Sequence, residues 1–226
     1  NINKILGEFG ISFSYGIVCE ENSDNMIQGY PDALIPNMTY NEIVKNIYTD
    51  GKIVMADAGK INTVDSDKLS ELKVTASSFI TSSSKSFYKE KFTSTDSYIK
   101  TSSDDDTKGN YVLGETLVKQ INDNTKATLV AYSNAFFATN YTMQVGNSYT
   151  YPIYLRNNKD LLLNTIAYLS DREDSISIRK QTGTEYVSFE TASGKQDLIV
   201  RIIIFAIPLV LIITGIIISI VRKRKK

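Results

Sequence analysis

Apolar and polar residues form short segments of changing periodicity over residues 1–181. Strand-like segments have apolar residues at every second position or in short runs, whereas helix-like segments have them three or four positions apart. The strand-like segments are 11–22, 52–64, 73–84, 127–132 and 175–181. The helix-like segments are 2–9, 39–51 and 158–170, and segment 110–121 has helical or mixed spacing. This alternation predicts an α/β fold with a mostly parallel sheet.

The segment 39–51 carries signals for both ends of a helix. Thr39 and Glu42 have the spacing of a capping box, in which each side chain bonds to the other's backbone N–H. Gly51 follows the last apolar position and is suited to end the helix. Residues 23–37, rich in glycine, proline and polar residues, are predicted to form a loop before it.

The segment 158–170 has the clearest helical pattern in the chain. The face that we expect to cover the core carries Leu162, Ile166 and Leu169. We expect residues 52–58 and 127–132 to be adjacent or near-adjacent buried strands beneath it, because both are short apolar runs.

Residues 202–221 form an apolar stretch with no charged residue, in which the polar residues are Thr214 and Ser219. As a helix, 20 residues span about 30 Å, the thickness of a bilayer core. Pro208 would kink this helix. Only Arg201 precedes it, whereas residues 222–226 are all basic, so the positive-inside rule places the C-terminus in the cytoplasm. We therefore expect a cell-membrane location, with the soluble domain outside.

The predicted domain organisation follows from this segment. Residues 1–181 form an α/β extracytoplasmic domain, 182–201 a linker, 202–221 a transmembrane helix in contact with the lipid bilayer, and 222–226 a basic cytoplasmic tail. The chain begins with Asn1 and shows no signal peptide. We therefore expect it to be the C-terminal piece of a longer polypeptide, with N-terminal strands of the domain missing.

Composition excludes several classes of function. The chain has 25 basic and 25 acidic residues, but every acidic residue precedes the apolar stretch, which argues against a nucleic-acid surface on the soluble part. Histidine is absent, which excludes histidine-based catalytic triads and histidine metal ligands. Cys19 is alone and cannot form an internal disulfide. No phosphate-binding glycine motif occurs, so we expect no cofactor and no catalysis.

Two groups of residues nevertheless allow chemistry. Asp104, Asp105 and Asp106 could offer carboxylate oxygens to a divalent cation, although we interpret them as part of a solvated loop over 85–110. Asp57 and Ser133 each follow a strand-like segment and could meet at the edge of a sheet. They define the alternative of a hydrolase that works without histidine.

Tyrosines cluster in the predicted loop over 141–156. The four candidates for an interaction surface there are Tyr141, Tyr149, Tyr151 and Tyr154. Tyrosine combines apolar contact area with a hydroxyl, so such a loop is either a binding surface or an ordinary packed surface loop. A fifth candidate, Gly215 in the apolar stretch, would let a neighbouring helix approach closely.

The order of these segments resembles a known family. The motifs are KILGEFGISFSYGIV (4–18), KGNY (108–111), the strand ATLVAYSNAFFATN (127–140) and the helix NNKDLLLNTIAYLSDRED (157–174), followed by one apolar span. Together they resemble the Gldg family of auxiliary subunits of bacterial ABC transporters. The strand departs from the family's pattern, because Ala131 and Tyr132 stand where the family has glycine and aspartate.

The resemblance implies a fold and a function. The fold would be a glutamine-amidotransferase-like α/β domain without the catalytic residues. The function would be that of a non-catalytic, membrane-anchored auxiliary subunit that contacts the ABC permease and ATPase subunits, and envelope material or cargo, through protein–protein contacts. The alternative is a membrane-tethered ectodomain that senses a ligand or is a degenerate hydrolase.

Overall fold

The computed structural model describes residues 2–27, 29–90, 106–145 and 148–170, together with Phe205 and Pro208. The chain divides into two compact units, residues 1–177 and residues 178–226. Of the second unit only Phe205 and Pro208 are described, both at helical, exposed positions. The helices, strands and sheets given below belong to the first unit.

Short strands make up most of the regular structure of the first unit. Its helices are α1 (Ile2–Glu8), α2 (Ser66–Glu71) and α3 (Asn158–Leu169). Its strands are β1 (Ile11–Phe13), β2 (Ile17–Glu20), β3 (Met26–Ile27), β4 (Tyr30–Leu34), β5 (Asn37–Met38), β6 (Met55–Ala56), β7 (Ile61–Thr63), β8 (Val74–Thr81), β9 (Ser86–Lys89), β10 (Thr107–Lys108), β11 (Val112–Asn122), β12 (Thr125–Tyr132), β13 (Met143–Val145) and β14 (Ser148–Thr150). Single 3₁₀ turns occur at Ser23–Asn25, Phe136–Ala138 and Pro152–Tyr154.

The strands pair antiparallel throughout the described part of the chain, so the predicted parallel α/β fold is wrong. The largest sheet has the order β1-β7-β11-β8-β5, with β12 also paired to β11. Smaller sheets have the orders β10-β9-β2, β3-β4-β6 and β13-β14. Parallel neighbours need a long crossover. Here β11 reverses directly into β12, helped by a bond from the Asn124 N–H to the Asn122 side chain (3.1 Å).

Strand β11 replaces the helical or mixed segment predicted at 110–121. It is the longest strand described and pairs with β8 on one side and with β7 and β12 on the other. Its register against β8 shifts on both sides of Gly114. A Cβ on Gly114 would lie 2.9 Å from the Ile80 side chain, so glycine permits this close approach. The shift lets Leu113 and Leu117 enter two different cores.

The predicted helix over 39–51 is a series of turns. Thr39 does not cap it, because its hydroxyl donates to the Ser78 carbonyl (3.4 Å). Instead the Asn41 side chain accepts from the Ile43 N–H (3.0 Å). The apolar spacing was informative all the same, because Ile43, Val44 and Ile47 are buried.

Two neighbouring predictions around this segment also need correction. Within 52–58 only Met55–Ala56 forms a strand, and it pairs with β4 rather than with β12. The predicted loop over 23–37 contains β3 and β4, which pair with each other as a hairpin.

Two main hydrophobic cores lie against the largest sheet. The main core contains Val18, Leu34, Ile43, Val44, Ile47, Ile53, Met55, Ala58, Phe79, Ile80, Tyr88, Leu113, Phe137 and Leu161. The second core, to which α1 contributes, contains Leu6, Ile11, Ile61, Val74, Leu117 and Ala131, with Leu69 and Leu72 of the α2 region packed against it. Residues from the turns at 41–58 and from α3 therefore complete the main core.

Helix α3 lies where the sequence predicts it, but it is rotated about its axis, so that of the three residues expected to face the core only Leu162 packs against it. Leu161 is fully buried, and Leu162 packs against the main core at its edge. Ile166 and Leu169, which were expected to cover the core, are about half exposed. The prediction failed because hydrogen-bonded polar side chains, described below, hold the other face against the core.

No helix in the described part of the chain is long and apolar enough to cross a membrane. The predicted linker at 182–201, the span at 202–221 with Gly215, the tail at 222–226 and the strand at 175–181 lie outside the described residues, apart from Phe205 and Pro208. This finding corrects the predictions of a single-pass segment and of a cell-membrane location, which the structure does not support.

Candidate functional site

The four candidate tyrosines of the first unit are all exposed. The exposed fraction is 63% for Tyr141, 73% for Tyr149, 42% for Tyr151 and 65% for Tyr154. Phe136, also exposed, lies beside Tyr141 with ring centroids 5.6 Å apart. We call these five residues the tyrosine surface.

The segments that carry the tyrosine surface are neighbours. The turn at Phe136–Ala138 contacts the turn at Pro152–Tyr154, and the β13-β14 hairpin connects them along the chain. Tyr151 and Tyr154 form an edge-to-face pair with centroids 6.1 Å apart and planes at 75°. In the described part of the chain none of the four tyrosine hydroxyls makes a hydrogen bond, so their polar groups face solvent.

The Phe136 end of the surface is fixed by a buried asparagine. The side-chain oxygen of Asn134 accepts a hydrogen bond from the Phe137 N–H (2.7 Å). Its amide donates to the Ala56 carbonyl. Phe137 itself is buried against Tyr132, with centroids 5.0 Å apart. The backbone that carries the exposed Phe136 ring is therefore fixed to the main core by hydrogen bonds.

The Tyr151–Tyr154 end is fixed by a second buried asparagine. The side-chain oxygen of Asn158 accepts from the Val54 N–H (2.9 Å). Its amide donates to the Val54 carbonyl (2.9 Å) and to the Pro152 carbonyl (2.8 Å). Asn158 is fully buried and Pro152 is buried as well, so the backbone groups around them need hydrogen-bond partners inside the protein. The Asn158 side chain provides the partners that a neighbouring strand would otherwise supply.

Two further polar side chains hold the rest of α3 against the main core. The Asn164 amide donates to the Ile43 carbonyl (2.7 Å). The Thr165 hydroxyl donates to the Leu161 carbonyl (2.7 Å), which leaves its oxygen to accept from the Tyr132 hydroxyl (2.6 Å). Burial raises the pKa of Tyr132 above its ordinary value, so this hydroxyl stays protonated and donates.

Sequence reasoning missed these asparagines. Asn134, Asn158 and Asn164 are each at least 97% buried, and each holds a backbone segment that regular pairing does not reach. A signal was present for two of them, because Asn134 and Asn164 interrupt apolar runs, whereas Asn158 lies within the polar run 156–160. Their partners are distant in sequence, and apolar spacing alone does not reveal them.

A buried carboxylate was missed as well. Glu20 is 1% exposed and accepts from the hydroxyls of Ser83 (2.9 Å) and Ser86 (2.8 Å). It also accepts from the N–H groups of Glu21 (3.0 Å) and Asn22 (2.9 Å). Four donors hold this buried carboxylate in place, so Glu20 is a structural anchor. The hydroxyls of Ser83 and Ser86 are oriented toward Glu20 rather than toward solvent.

Asp57 and Ser133 do not form the arrangement that a hydrolase needs. They lie on neighbouring segments, because the Gly59 N–H donates to the Ser133 carbonyl (2.9 Å). The Ser133 hydroxyl, however, donates to the Leu113 carbonyl (3.3 Å). Asp57 is exposed over most of its surface, but surrounding atoms shield its carboxyl in part from water; this desolvation, reinforced by the charge of Asp32, raises the pKa of Asp57. No bond joins this carboxyl to the serine within the described residues, so nothing activates the hydroxyl.

The other candidate chemistry also has a structural explanation. Asp106 forms an ion pair with Lys89 (3.1 Å), while Asp104 and Asp105 lie outside the described residues. Among the residues described, no three His, Cys, Asp or Glu side chains are grouped so that they could hold a metal ion. Cys19 is fully buried, and burial raises the pKa of its thiol to about 12. The thiolate that a nucleophile requires is therefore not formed near neutral pH.

Comparison of the chain with protein-family profiles, curated proteins and solved structures finds no match. The resemblance to the Gldg family of ABC transporter auxiliaries, which rested on the order of short motifs, therefore receives no support. That the ABC permease and ATPase subunits are partners stays a prediction that these findings do not test.

Proposed function

We propose that this chain is a non-catalytic binding module that contacts a partner protein through the tyrosine surface. One observation supports the proposal. The surface consists of exposed aromatic rings, and the tyrosine hydroxyls among them make no hydrogen bond in the described part of the chain. The turns that carry these rings are held against the main core by hydrogen bonds from buried asparagines. Exposed rings on a fixed backbone lose little conformational freedom when they are covered, so they gain more on binding than mobile side chains do.

The chemistry of the surface suits a protein partner. Tyrosine and phenylalanine are enriched at the centres of protein interfaces, because a ring provides apolar contact while a hydroxyl provides a hydrogen bond. The edge-to-face pair of Tyr151 and Tyr154 offers two rings and two hydroxyls within one short turn. Interface centres of this kind supply most of the binding energy in many complexes.

Site-specific photo-crosslinking tests the proposal. The full chain is produced in its native cells with a photo-reactive phenylalanine analogue at position 151 or 154, and in a parallel preparation at position 15. Tyr15 is 95% exposed and makes no ring contact in the described part of the chain, so it is a matched control. We expect a discrete crosslinked protein from positions 151 and 154 and none from position 15.

Affinity measurements with the purified crosslinked protein complete the test. Tyr151→Ala and Tyr154→Ala should each weaken binding by about 2 kcal/mol, or about thirtyfold in Kd, as expected for the centre of an interface. Tyr15→Ala should leave the Kd unchanged. Equal crosslinking at all three positions, no crosslinking at 151 and 154, or alanine variants that bind within twofold of the wild type would each contradict the proposal.

A further inference from the structure

The segment that contains the tyrosine surface has no charged residue. Residues 127–155 include no Asp, Glu, Lys or Arg, although 22% of the residues in the chain are charged. Burial does not account for this, because Phe136 and the four tyrosines of the surface are exposed. An exposed surface that is rich in aromatic rings and depleted of charge is typical of the centre of an interface. The contact area of the partner is therefore expected to be uncharged as well.

Charged side chains border the tyrosine surface at both ends, and their signs are mixed. At the Phe136 end lies Asp57, next to the Ala56 carbonyl that accepts from Asn134, and the Asp57 N–H donates to the Asp32 carbonyl (2.9 Å). At the other end the Asn157 N–H donates to the Lys52 carbonyl (2.9 Å). The charged residues at that end are Asp50, Lys52, Arg156, Lys159 and Asp160. A charged partner of either sign would meet repulsion as well as attraction, so the border also favours an uncharged partner.

The tyrosine hydroxyls define what such a partner has to offer. Each of the four hydroxyls can donate one hydrogen bond, and none makes a hydrogen bond within the described residues. A partner that covers them has to supply neutral acceptors, because a donor left unsatisfied in an interface costs binding energy. Backbone carbonyls are neutral acceptors, and in a polyproline II segment they are unbonded, since this conformation has no internal hydrogen bonds.

The aromatic rings suit the side chains of such a segment. Phe136 and Tyr141 are packed at 47° to each other, and Tyr151 and Tyr154 at 75°, so neither pair is stacked face to face. Faces of these exposed rings are therefore open to solvent. Aromatic-lined sites bind proline-rich segments, whose conformation is formed before binding and costs little entropy to hold. Since the turns beneath the rings are also fixed, little conformational freedom is lost on either side.

We propose that the tyrosine surface binds an uncharged, proline-rich segment of its partner in the polyproline II conformation. This inference rests on the proposed function and adds the chemistry of the partner to it. Prolyl rings pack on the open faces of the aromatic rings, and tyrosine hydroxyls donate to the carbonyls between them. No ion pair is required at the centre of the contact, so the affinity should depend little on salt.

Fluorescence anisotropy of dye-labelled decaproline, titrated with the full chain, tests the class of ligand. We expect saturable binding, and an uncharged decamer of alternating glycine and serine should bind at least tenfold more weakly. Tyr151→Ala and Tyr154→Ala should each raise the Kd for decaproline at least tenfold, whereas the control Tyr15→Ala should leave it within twofold. No binding of decaproline, equal binding of the two peptides, or an equal loss in Tyr15→Ala overturns the proposal.

Two further measurements with decaproline test the chemistry of the contact. Tyr154→Phe keeps the ring and removes the hydroxyl, so the Kd should rise by about two- to tenfold, the effect of losing one neutral hydrogen bond. Between about 50 and 500 mM NaCl the Kd of the wild type should change by less than about twofold. A Tyr154→Phe variant that binds like the wild type, or a Kd that rises tenfold with salt, would overturn the proposed contact.

Competition separates this inference from the proposed function. The protein that is crosslinked at positions 151 and 154 should be displaced from the chain by an excess of decaproline and not by the glycine-serine decamer. A crosslinked protein that decaproline does not displace overturns the proline-rich ligand and leaves the proposed function standing. If no protein is crosslinked at these positions, both are overturned.

Discussion

Asn158 offers the sharpest test of how the tyrosine surface and α3 are held. Its side chain bonds to the Val54 N–H, the Val54 carbonyl and the Pro152 carbonyl, all in a buried site. Asn158→Ala leaves these three backbone groups without partners. An unsatisfied buried polar group costs about 1–3 kcal/mol. Allowing for partial access of water, we expect the free energy of unfolding to fall by about 3–5 kcal/mol, a large fraction of the total for a typical domain.

Urea unfolding of the full chain, followed by far-ultraviolet circular dichroism, measures this loss, since the chain has no tryptophan to report by fluorescence. Hydrogen exchange should show faster exchange of the α3 amides, with less effect on β11. Asn140→Ala is the control, because Asn140 is exposed. It should change the free energy of unfolding by less than about 0.5 kcal/mol.

A second substitution separates hydrogen bonding from packing. Asn158→Asp keeps the shape and the acceptor for the Val54 N–H, but it loses both donors and directs a negative charge at two carbonyl oxygens. The pKa of the new carboxyl should therefore be raised in the folded state, and the loss of stability should be greater at pH 7 than at pH 4. If Asn158→Ala costs less than about 1 kcal/mol, the three bonds do not hold the site and our reasoning is refuted.

Three further predictions follow from burial. Leu161→Ala should lower the free energy of unfolding by about 2–5 kcal/mol, because Leu161 is fully buried, whereas Ile166→Ala should lower it by less than about 0.5 kcal/mol. Comparable losses in thermal unfolding would mean that the assigned faces of α3 are wrong. The pKa of Asp57 is raised in the folded state by desolvation of its carboxyl and by the charge of Asp32, so ionisation of Asp57 destabilises the fold above that pKa. Asp57→Asn should therefore raise Tm at pH 7. At pH 3 the carboxyl is protonated, and the variant should have the same Tm as the wild type. Cys19, whose thiol pKa is about 12, should resist iodoacetamide at pH 8 in the folded chain and react once urea unfolds it; rapid labelling without urea would contradict its burial.

Local features of this protein followed from the sequence alone. The helix before Gly10, strands β8 and β12, and α3 lie where residue spacing predicts them, because periodicity and end signals act over a few neighbouring residues. Gly10 closes α1 with a φ of +73°, a conformation that glycine adopts without cost. The four candidate tyrosines of segment 141–156 are exposed, but this segment, predicted as a loop, contains the β13-β14 hairpin.

Tertiary structure decided strand direction, and with it the fold. An apolar run shows that a segment is buried, but it does not show which neighbour it pairs with or in which direction. Segment 110–121 was ambiguous for this reason, and only its pairing with β8 and β12 makes it a strand. Antiparallel pairing in turn replaced the predicted parallel sheet. It still places Asp57 and Ser133 on neighbouring segments, but the Ser133 hydroxyl bonds to the Leu113 carbonyl instead of to a carboxylate.

The orientation of α3 was also decided by tertiary structure. Its apolar spacing predicted that Ile166 and Leu169 face the core, yet both are exposed. The deciding contacts join Asn158 to Val54 and Asn164 to Ile43, more than a hundred positions away along the chain. A buried amide is stable only where such partners exist, and only the folded chain supplies them. Sequence spacing therefore located this helix, while long-range hydrogen bonds determined which of its faces is exposed.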